Sequence, residues 1–291
     1  MKFTNHIKEN KDQIMSPGLY IVSTPIGNME DITFRALNVL KKSDIILCED
    51  TRRSTKLLTK YGIKNKLSSY HKFNEKKITA NLINSLKNKK IISLISDAGT
   101  PTLSDPGQIL VNSCIEKNIN IYSIPGPSAI TSAMSVSGFN DQYLFYGFLT
   151  KKENELEKVL NNLSNIDFSI IFFIPAVKIN FFITKFKKYF SDRKIMIARE
   201  MTKIHESLIR EDVKLIKTFS NIPKGEITIV LSSKIKEKKY KKDINESVKI
   251  EINKMLKKYS LKDVAEFISK KENLQKKTVY NFCLKLKSKH E

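Results

Sequence analysis

The chain has 291 residues, 41% of them hydrophobic, with 52 Lys or Arg against 30 Asp or Glu and a formal net charge of +22. This length suits two domains of ordinary size with an appendage, and no apolar run approaches the ~20 residues that a membrane span needs. Three scattered cysteines (Cys48, Cys114, Cys283) and four histidines without ligand spacing (His6, His71, His205, His290) argue against a disulfide framework or a zinc site and fit a reducing cytoplasm.

The opening MKFTNHIKENKDQIMS is a polar leader over residues 1–16 that lacks the apolar middle of a signal peptide. Residues 19–23 then read as a buried strand breaking into the turn PIGN. In MEDITFRALNVLKKS, Ile32, Ala36, Leu37 and Leu40 recur at helical spacing, with acids first and lysines last as the helix dipole favours. DIILCED is a second strand, and TRRSTKLLTKYGI a helix closed by Gly62. A helix around residues 78–86 precedes the strand IISLIS, whose helix DPGQILVNSCIEKN has Pro106 near its first turn. INIYSIPGPSAITSAMSVSG gives a strand, a turn and a helix of small residues.

Apolar strands alternating with amphipathic helices imply an α/β fold with a largely parallel sheet. The rhythm pauses at GFNDQYLFYGFLTKKENE and restarts with FSIIFFIP, KIMIARE and EITIVLSS. The expected layout is an N-terminal α/β domain over 17–138, a second over 139–233, and a lysine-rich linker with a helical appendage over 234–291. Two helical patterns, LKDVAEFISKK and KKTVYNFCLKLK, make that appendage either helix-turn-helix-like or a plain hairpin.

Charge has two readings. Only six of the 52 basic residues are Arg, a skew expected of AT-rich coding whatever the function. Residues 234–291 nevertheless hold 18 Lys against 8 acids, which points to a polyanionic partner such as RNA.

Ligands of open parallel sheets sit outside the carboxyl ends of the strands. Three loops there share one chemistry: STPIGN, SDAGTPTLSDPG and IPGPSA are small, proline-stiffened and carry a Gly where a ligand can approach the backbone. No GxxxxGK[ST], GxGxxG or GxSxG pattern is present, so phosphate-loop, dinucleotide and nucleophile-elbow readings are poor. The residues alone give a small-molecule pocket, an acid at Asp97 and a basic tail.

LYIVSTPIGNMEDITFRAL, CEDTRRSTKLL, SYHKFNE, LISDAGTPTLSDPG, IPGPSAITSAMSVSG, GFL and AREMTKIHE occur in this order. Across residues 17–233 the chain closely resembles the small-subunit ribosomal RNA methyltransferase I family, within the tetrapyrrole methylase superfamily. The resemblance implies two α/β domains of tetrapyrrole-methylase type, S-adenosyl-L-methionine in the cleft between them, a homodimer, and 2′-O-methylation of a cytidine ribose in the decoding region of 16S rRNA. Its cofactor positions fall on Pro25 and Gly27, on Ser96, Asp97, Ala98 and Gly99, on Ser128 and Ala129, and on Ile174 and Ala198.

Asp97 suits two roles that can hold together, accepting from the cofactor's ammonium or ribose and capping its own turn. Candidates for a base or orienting group are Glu49, Asp50 and His71. Arg52 and Arg53 suit phosphates, against the plainer reading of Glu49–Arg52 and Asp50–Arg53 surface pairs. The chain departs from the family where Ile174, Val177 and Lys178 of IPAVK replace Glu, His and Arg, where Phe73 replaces a second His, and where a basic stretch shrinks to Lys151 and Lys152. A tetrapyrrole C-methyltransferase and a non-catalytic rRNA-binding assembly factor are the alternatives.

Overall fold

The structure, a computed structural model, describes residues 15–140, 142–235 and 244–287. Most of the polar leader (1–14, with His6), residues 236–243 of the linker, and His290 lie outside the described residues.

The first sheet contains β1 (Gly18–Val22), β2 (Ile45–Cys48), β3 (Lys66–Ser69), β4 (Ile91–Leu94) and β5 (Ile121–Ile124) in the order β3-β2-β4-β1-β5. All four pairings are parallel. Alternation within each strand separates two cores. Tyr20, Val22 and Ile46 face one side with Leu40 and Leu58, whereas Leu19, Leu47 and Ile92 face the other with Leu82 and Leu110. Burial on both faces makes the three inner strands β1, β2 and β4 near-continuous apolar runs.

The crossovers are α1 (Phe34–Lys42), α2 (Thr51–Lys60), α3 (Glu75–Lys87) and α4 (Gln108–Glu116). α1 begins later than its sequence pattern suggests. Thr33 caps it by accepting the Ala36 N–H at 3.1 Å, and the acids at 30 and 31 sit in a separate 3₁₀ turn, so Ile32 packs from outside the helix. Pro106 likewise lies outside α4, because Gly107 at φ 136° is the residue entering the helix.

α5 (Ala129–Ser137) leads to a second sheet of β6 (Tyr143–Phe148), β7 (Ser169–Pro175), β8 (Lys194–Arg199), β9 (Ser207–Asp212) and β10 (Glu226–Leu231). Its order is β6-β7-β10-β8-β9, and only β6–β7 is parallel. The expectation of a largely parallel sheet therefore holds for the first sheet and not for the second. Hairpin-like returns replace crossover helices after β8, so β9 and β10 run back without a helix between them.

α6 (Glu153–Ser164) and α7 (Ile179–Tyr189) cover one face of this sheet through Leu160, Phe182 and Phe186, which pack on Phe172 and Ile229. Its other face, Ile171, Met196 and Val230, packs on Ile130 and Ala133 of α5. Arg210 of β9 also donates to the Val136 carbonyl of α5. At the far end of the sheet, fully buried Arg193 donates to Phe168 O and Ser232 O, both at 2.8 Å, and to the carbonyls of Ser164 and Ile166. A planar fork with five donors suits that cluster of carbonyls.

Residues 15–235 belong to one compact unit, and the C-terminal helices to another. The latter has three helices, α8 (Glu246–Leu256), α9 (Leu261–Glu272) and α10 (Lys276–Lys287), around Val248, Ile252, Val264, Ile268 and Val279. Two were expected; α8 emerges directly from the lysine-rich stretch, capped by Asn245. No described helix is long and apolar enough to cross a membrane.

Candidate functional site

Parallel pairing puts the carboxyl ends of all five strands of the first sheet on one edge. The three proline-stiffened loops follow β4, β1 and β5, which are neighbours in that order. They are joined to one another. Thr24 and Gly99 exchange backbone hydrogen bonds at 2.9 and 3.0 Å, and Thr24 Oγ1 donates to Ser96 O at 3.1 Å. Ser23 Oγ and Thr100 Oγ1 lie 2.9 Å apart, and Thr100 Oγ1 donates to Pro127 O at 3.3 Å. The backbone polar groups at this edge are thus held in place before any ligand arrives.

A cavity of about 370 Å³ opens above these loops. Asp97, Ala98, Gly99, Ser128 and Ala129 line it from the first sheet, together with Ile26. Across from them stand Phe148, Phe173, Ile174 and Pro175 at the ends of β6 and β7, and residues 225–228 at the start of β10. A smaller cavity of about 230 Å³ adjoins it, lined by Pro25, Gly27 and Ser96 and sharing Ile26, Arg53, Asp97 and Ala98. Ala198 lines neither; it lies 1% exposed in the core beneath.

The loop after β8 clasps the first of these turns. Asn28 N–H donates to Thr202 Oγ1 at 2.9 Å, and a Cβ on Gly27 would fall 2.5 Å from Lys203 Cγ and 2.9 Å from Met201 O. Lys203 is itself tied to Glu200 at 2.9 Å and Glu226 at 2.8 Å. This clasp lies in the AREMTKIHE stretch, whose residues after Ala198 carried no expected role.

The next two strands, β2 and β3, present the expected acceptor-side groups. Asp50 caps α2 and takes Arg52 in a fork, with Arg52 Nε at 3.0 Å and Nη2 at 2.7 Å. Those Arg52 hydrogen bonds, with the Arg52 backbone N–H, hold the carboxyl down to about 2, which makes it a weak base. Arg53 pairs with Asp97 at 3.2 Å. The surface pairs expected from sequence, Glu49–Arg52 and Asp50–Arg53, are therefore replaced by Asp50–Arg52 and Asp97–Arg53. The Asp97 side chain is turned toward α2 rather than its own turn, its Oδ1 accepting the Asp50 N–H at 3.1 Å and its Oδ2 meeting Arg53.

His71 closes the turn into α3, its Nδ1 accepting from Phe73 N–H at 3.3 Å. Glu49, Asp50, Arg52 and His71 line neither cavity, whereas Arg53 lines both. Of the IPAVK stretch only Ile174 and Pro175 reach the larger cavity; Val177 is 76% exposed and Lys178 lies over the Phe181 ring.

Sequence reasoning passed over one carboxylate. Half-buried Asp105, in the same loop as Asp97, lines the larger cavity. Burial pushes its carboxyl up to about 6, Glu49 and Asp97 add repulsion, and the Ser96 hydroxyl and Lys72 pull the other way. With Asp97 and Glu226 it gives the cavity three acids against one base, Arg53. An acidic cleft in a chain of net charge +22 is a specific feature.

The model of the tetrapyrrole (corrin/porphyrin) methylases matches residues 18–216. A protein of Rickettsia prowazekii (strain Madrid E) named ribosomal RNA small subunit methyltransferase I is 39% identical over 277 residues, covering 94% of this chain and 99% of that one. Its namesake in Thermotoga maritima is 44% identical over 219 residues, 74% of this chain and 98% of that one. Among solved structures, diphthine synthase superposes with a TM-score of 0.58 at 14% identity, over 74% of this chain and 89% of that one. The methyltransferase CobJ gives 0.57 at 14% identity, over 75% and 95%. At such identities these two speak for the fold alone.

Proposed function

Because the chain belongs to the tetrapyrrole methylase family, we propose that it transfers a methyl group from S-adenosylmethionine to small-subunit ribosomal RNA, at the 2′-oxygen of a cytidine ribose in the decoding region. The observation that carries the reading is the acidic cleft. S-adenosylmethionine bears a sulfonium and an ammonium against one carboxylate, so three acids and one arginine suit its net positive charge. A cavity of about 370 Å³ falls within the range of ligand pockets, and its apolar wall of Ile26, Phe148, Phe173 and Ile174 suits the uncharged parts of the molecule.

When bound, the cofactor supplies an electrophilic methyl whose departure leaves a neutral thioether. Such chemistry rests on positioning and on exclusion of water rather than on a covalent nucleophile. The residues that would hold it are those of the three joined loops, Pro25 and Gly27, Ser96 to Gly99, Ser128 and Ala129, with Ile174 on the facing wall. Arg53, at the rim of both cavities, would grip an RNA phosphate when not paired with Asp97. The acceptor is read from the names of the relatives, which all specify small-subunit ribosomal RNA. A homodimer in the cytoplasm is the matching assembly, and light scattering checks it.

The test is transfer of isotope-labelled methyl to small subunits and to naked 16S rRNA, followed by mass-spectrometric mapping. Label on a decoding-region cytidine ribose supports the reading. Label on a base, on a porphyrinogen instead, or cofactor binding without any transfer would refute it.

A further inference from the structure

We propose that Phe73 is a stacking platform for an unpaired base of the RNA, set in a patch of cations that grips the flanking phosphates. The inference rests on the RNA reading above and deepens it, because it names a surface for single-stranded RNA that belongs to neither cavity.

Phe73 is 98% exposed, and between residues 35 and 102 no other large apolar side chain is exposed. Single apolar residues on a surface are ordinary, so exposure by itself carries nothing. What sets this ring apart is how it is held and what surrounds it.

The turn that bears it is tied at every position. Tyr70 N–H donates to Cys48 O at 2.8 Å, fixing the end of β3 to β2 at the carboxyl edge of the sheet. Asn74 Oδ1 accepts the His71 N–H at 2.9 Å, and Asn74 Nδ2 donates to Ser69 O at 3.0 Å. The His71 carbonyl accepts from the Asn74 and Glu75 N–H groups, at 3.0 and 2.9 Å. His71 Nδ1 accepts the Phe73 N–H, and the two rings meet at 65° with centroids 5.9 Å apart. A fixed backbone thus presents the ring to solvent, which leaves little ordering for a ligand to impose.

The surroundings are basic. Arg52, Arg53 and Lys56 of α2 and Lys72, Lys76 and Lys77 beside the ring are all exposed, whereas the acids of the same two segments, Glu49, Asp50 and Glu75, are half-buried. Arg52 and Arg53 have salt bridges; the four lysines have none among the described residues. The loops after β4, β2 and β3 are neighbours in that order, so the cations run outward from the larger cavity to the ring. Lys72 also acts electrostatically on Asp105 of the cavity wall, which puts the aromatic turn beside the cleft.

Every nucleobase has a π face, and an unpaired one stacks on an aromatic ring while cations hold the phosphates on either side. Bases inside a duplex have no face to offer, so the patch suits a single strand. A base held on Phe73 would anchor that strand next to the ribose that enters the cleft. A second copy of this chain is a poorer occupant, because a two-fold contact would set these cations against their own copies.

The chain has no tryptophan, so Phe73→Trp places a lone indole on the platform. Polyuridylate, an unstructured single strand, is expected to quench its fluorescence, and a poly(A)·poly(U) duplex to leave it bright. Phe73→Ala should weaken binding of polyuridylate and of naked 16S rRNA roughly 5- to 100-fold, and Phe73→Trp should retain native affinity. No phosphate contact is lost with the ring, so the salt slope of Phe73→Ala should match the native one, while Lys72→Gln flattens it by about one. Melting temperature and S-adenosylmethionine affinity should stay native in Phe73→Ala, since an exposed ring contributes little packing.

A bright indole with polyuridylate, equal quenching by the duplex, or unchanged RNA affinity in Phe73→Ala overturns the assignment. So does a lowered melting temperature in that variant, or an oligomer that dissociates in it by light scattering, the mark of a second copy on the patch. Native methyl transfer to 16S rRNA with an indole that stays bright fails the platform alone. Quenching by polyuridylate without transfer to any RNA fails the proposed reaction and leaves the platform standing.

Discussion

The two five-stranded sheets face one cleft and build it by different means. In the first, every pairing is parallel, so five strand ends point the same way and five loops converge. Their contribution is backbone groups and carboxylates on short, joined turns. In the second, antiparallel returns send alternate ends away, and what reaches the cleft is the ends of β6 and β7 with the start of β10. That side contributes mainly apolar side chains, Phe148, Phe173, Ile174 and Ile227. Strand direction decides whether a sheet offers a site its loops or its strand ends.

The largest effect should come from undermining the second sheet far from the cleft. Arg193→Ala leaves the carbonyls of Phe168, Ser232, Ser164 and Ile166 without their donor and opens a cavity, costing roughly 3–5 kcal/mol. Denaturant unfolding measures it; a cost under ~1 kcal/mol would mean that water replaces the guanidinium.

Next, Gly27→Val attacks the clasp between the sheets, since its Cβ would meet the Met201 carbonyl at 2.9 Å as well as Lys203. We expect S-adenosylmethionine affinity to fall on the order of 100-fold, about 2.7 kcal/mol. Native affinity would show that the clasp gives way without moving the loop.

Gly99→Ala is milder. An added Cβ meets nothing closer than Ile26 Cγ2 at 3.4 Å, so the burden is the φ of +78° rather than a clash. A strain of about 1–2 kcal/mol should appear as a drop in cofactor affinity of roughly tenfold or as an equal loss of stability, and calorimetry with melting curves separates the two.

The smallest effect serves as a control that touches neither sheet. Ending the chain at Ile235 removes the C-terminal unit and should leave cofactor affinity unchanged, while rRNA affinity falls roughly fivefold at moderate salt and its salt dependence flattens. Unaltered RNA binding would make the lysines a solvated surface.

The same contrast explains what the sequence could reveal. The first sheet was legible except at its edge strand β3, whose short, half-buried KLSS gave no strand signal; β1, β2 and β4 read as apolar runs bounded by turns because they are buried on both faces. In the second sheet the two strands that escaped notice, β6 and β9, are its two edges. YLFYGF is interrupted by a bulge at Gly147, whose φ is +81°, and SLIRED carries four charged or polar residues on a half-exposed ribbon. An edge strand has a partner on one side only, so its composition carries half the signal. α8 was hidden by the lysine run that precedes it. At the site, the three loops were recognisable from proline, glycine and small residues. Asp105 was visible as a letter in SDPG but not as a wall residue, because left-handed backbones at Thr102 and Ser104 leave no mark in composition.

Arg193 bears on how such a chain ages. An AT-rich coding bias, which fits 46 lysines among 52 basic residues, favours lysine wherever a lone positive charge suffices. It halts where a flat, many-toothed cation is wedged among carbonyl oxygens, as an ammonium on a limp stem reaches only one or two of them. Two of the six arginines make contacts of that kind, Arg52 in its fork on Asp50 and Arg193 among its four carbonyls. At Arg52 and Arg193 the guanidinium serves by its shape, which a lysine could not reproduce.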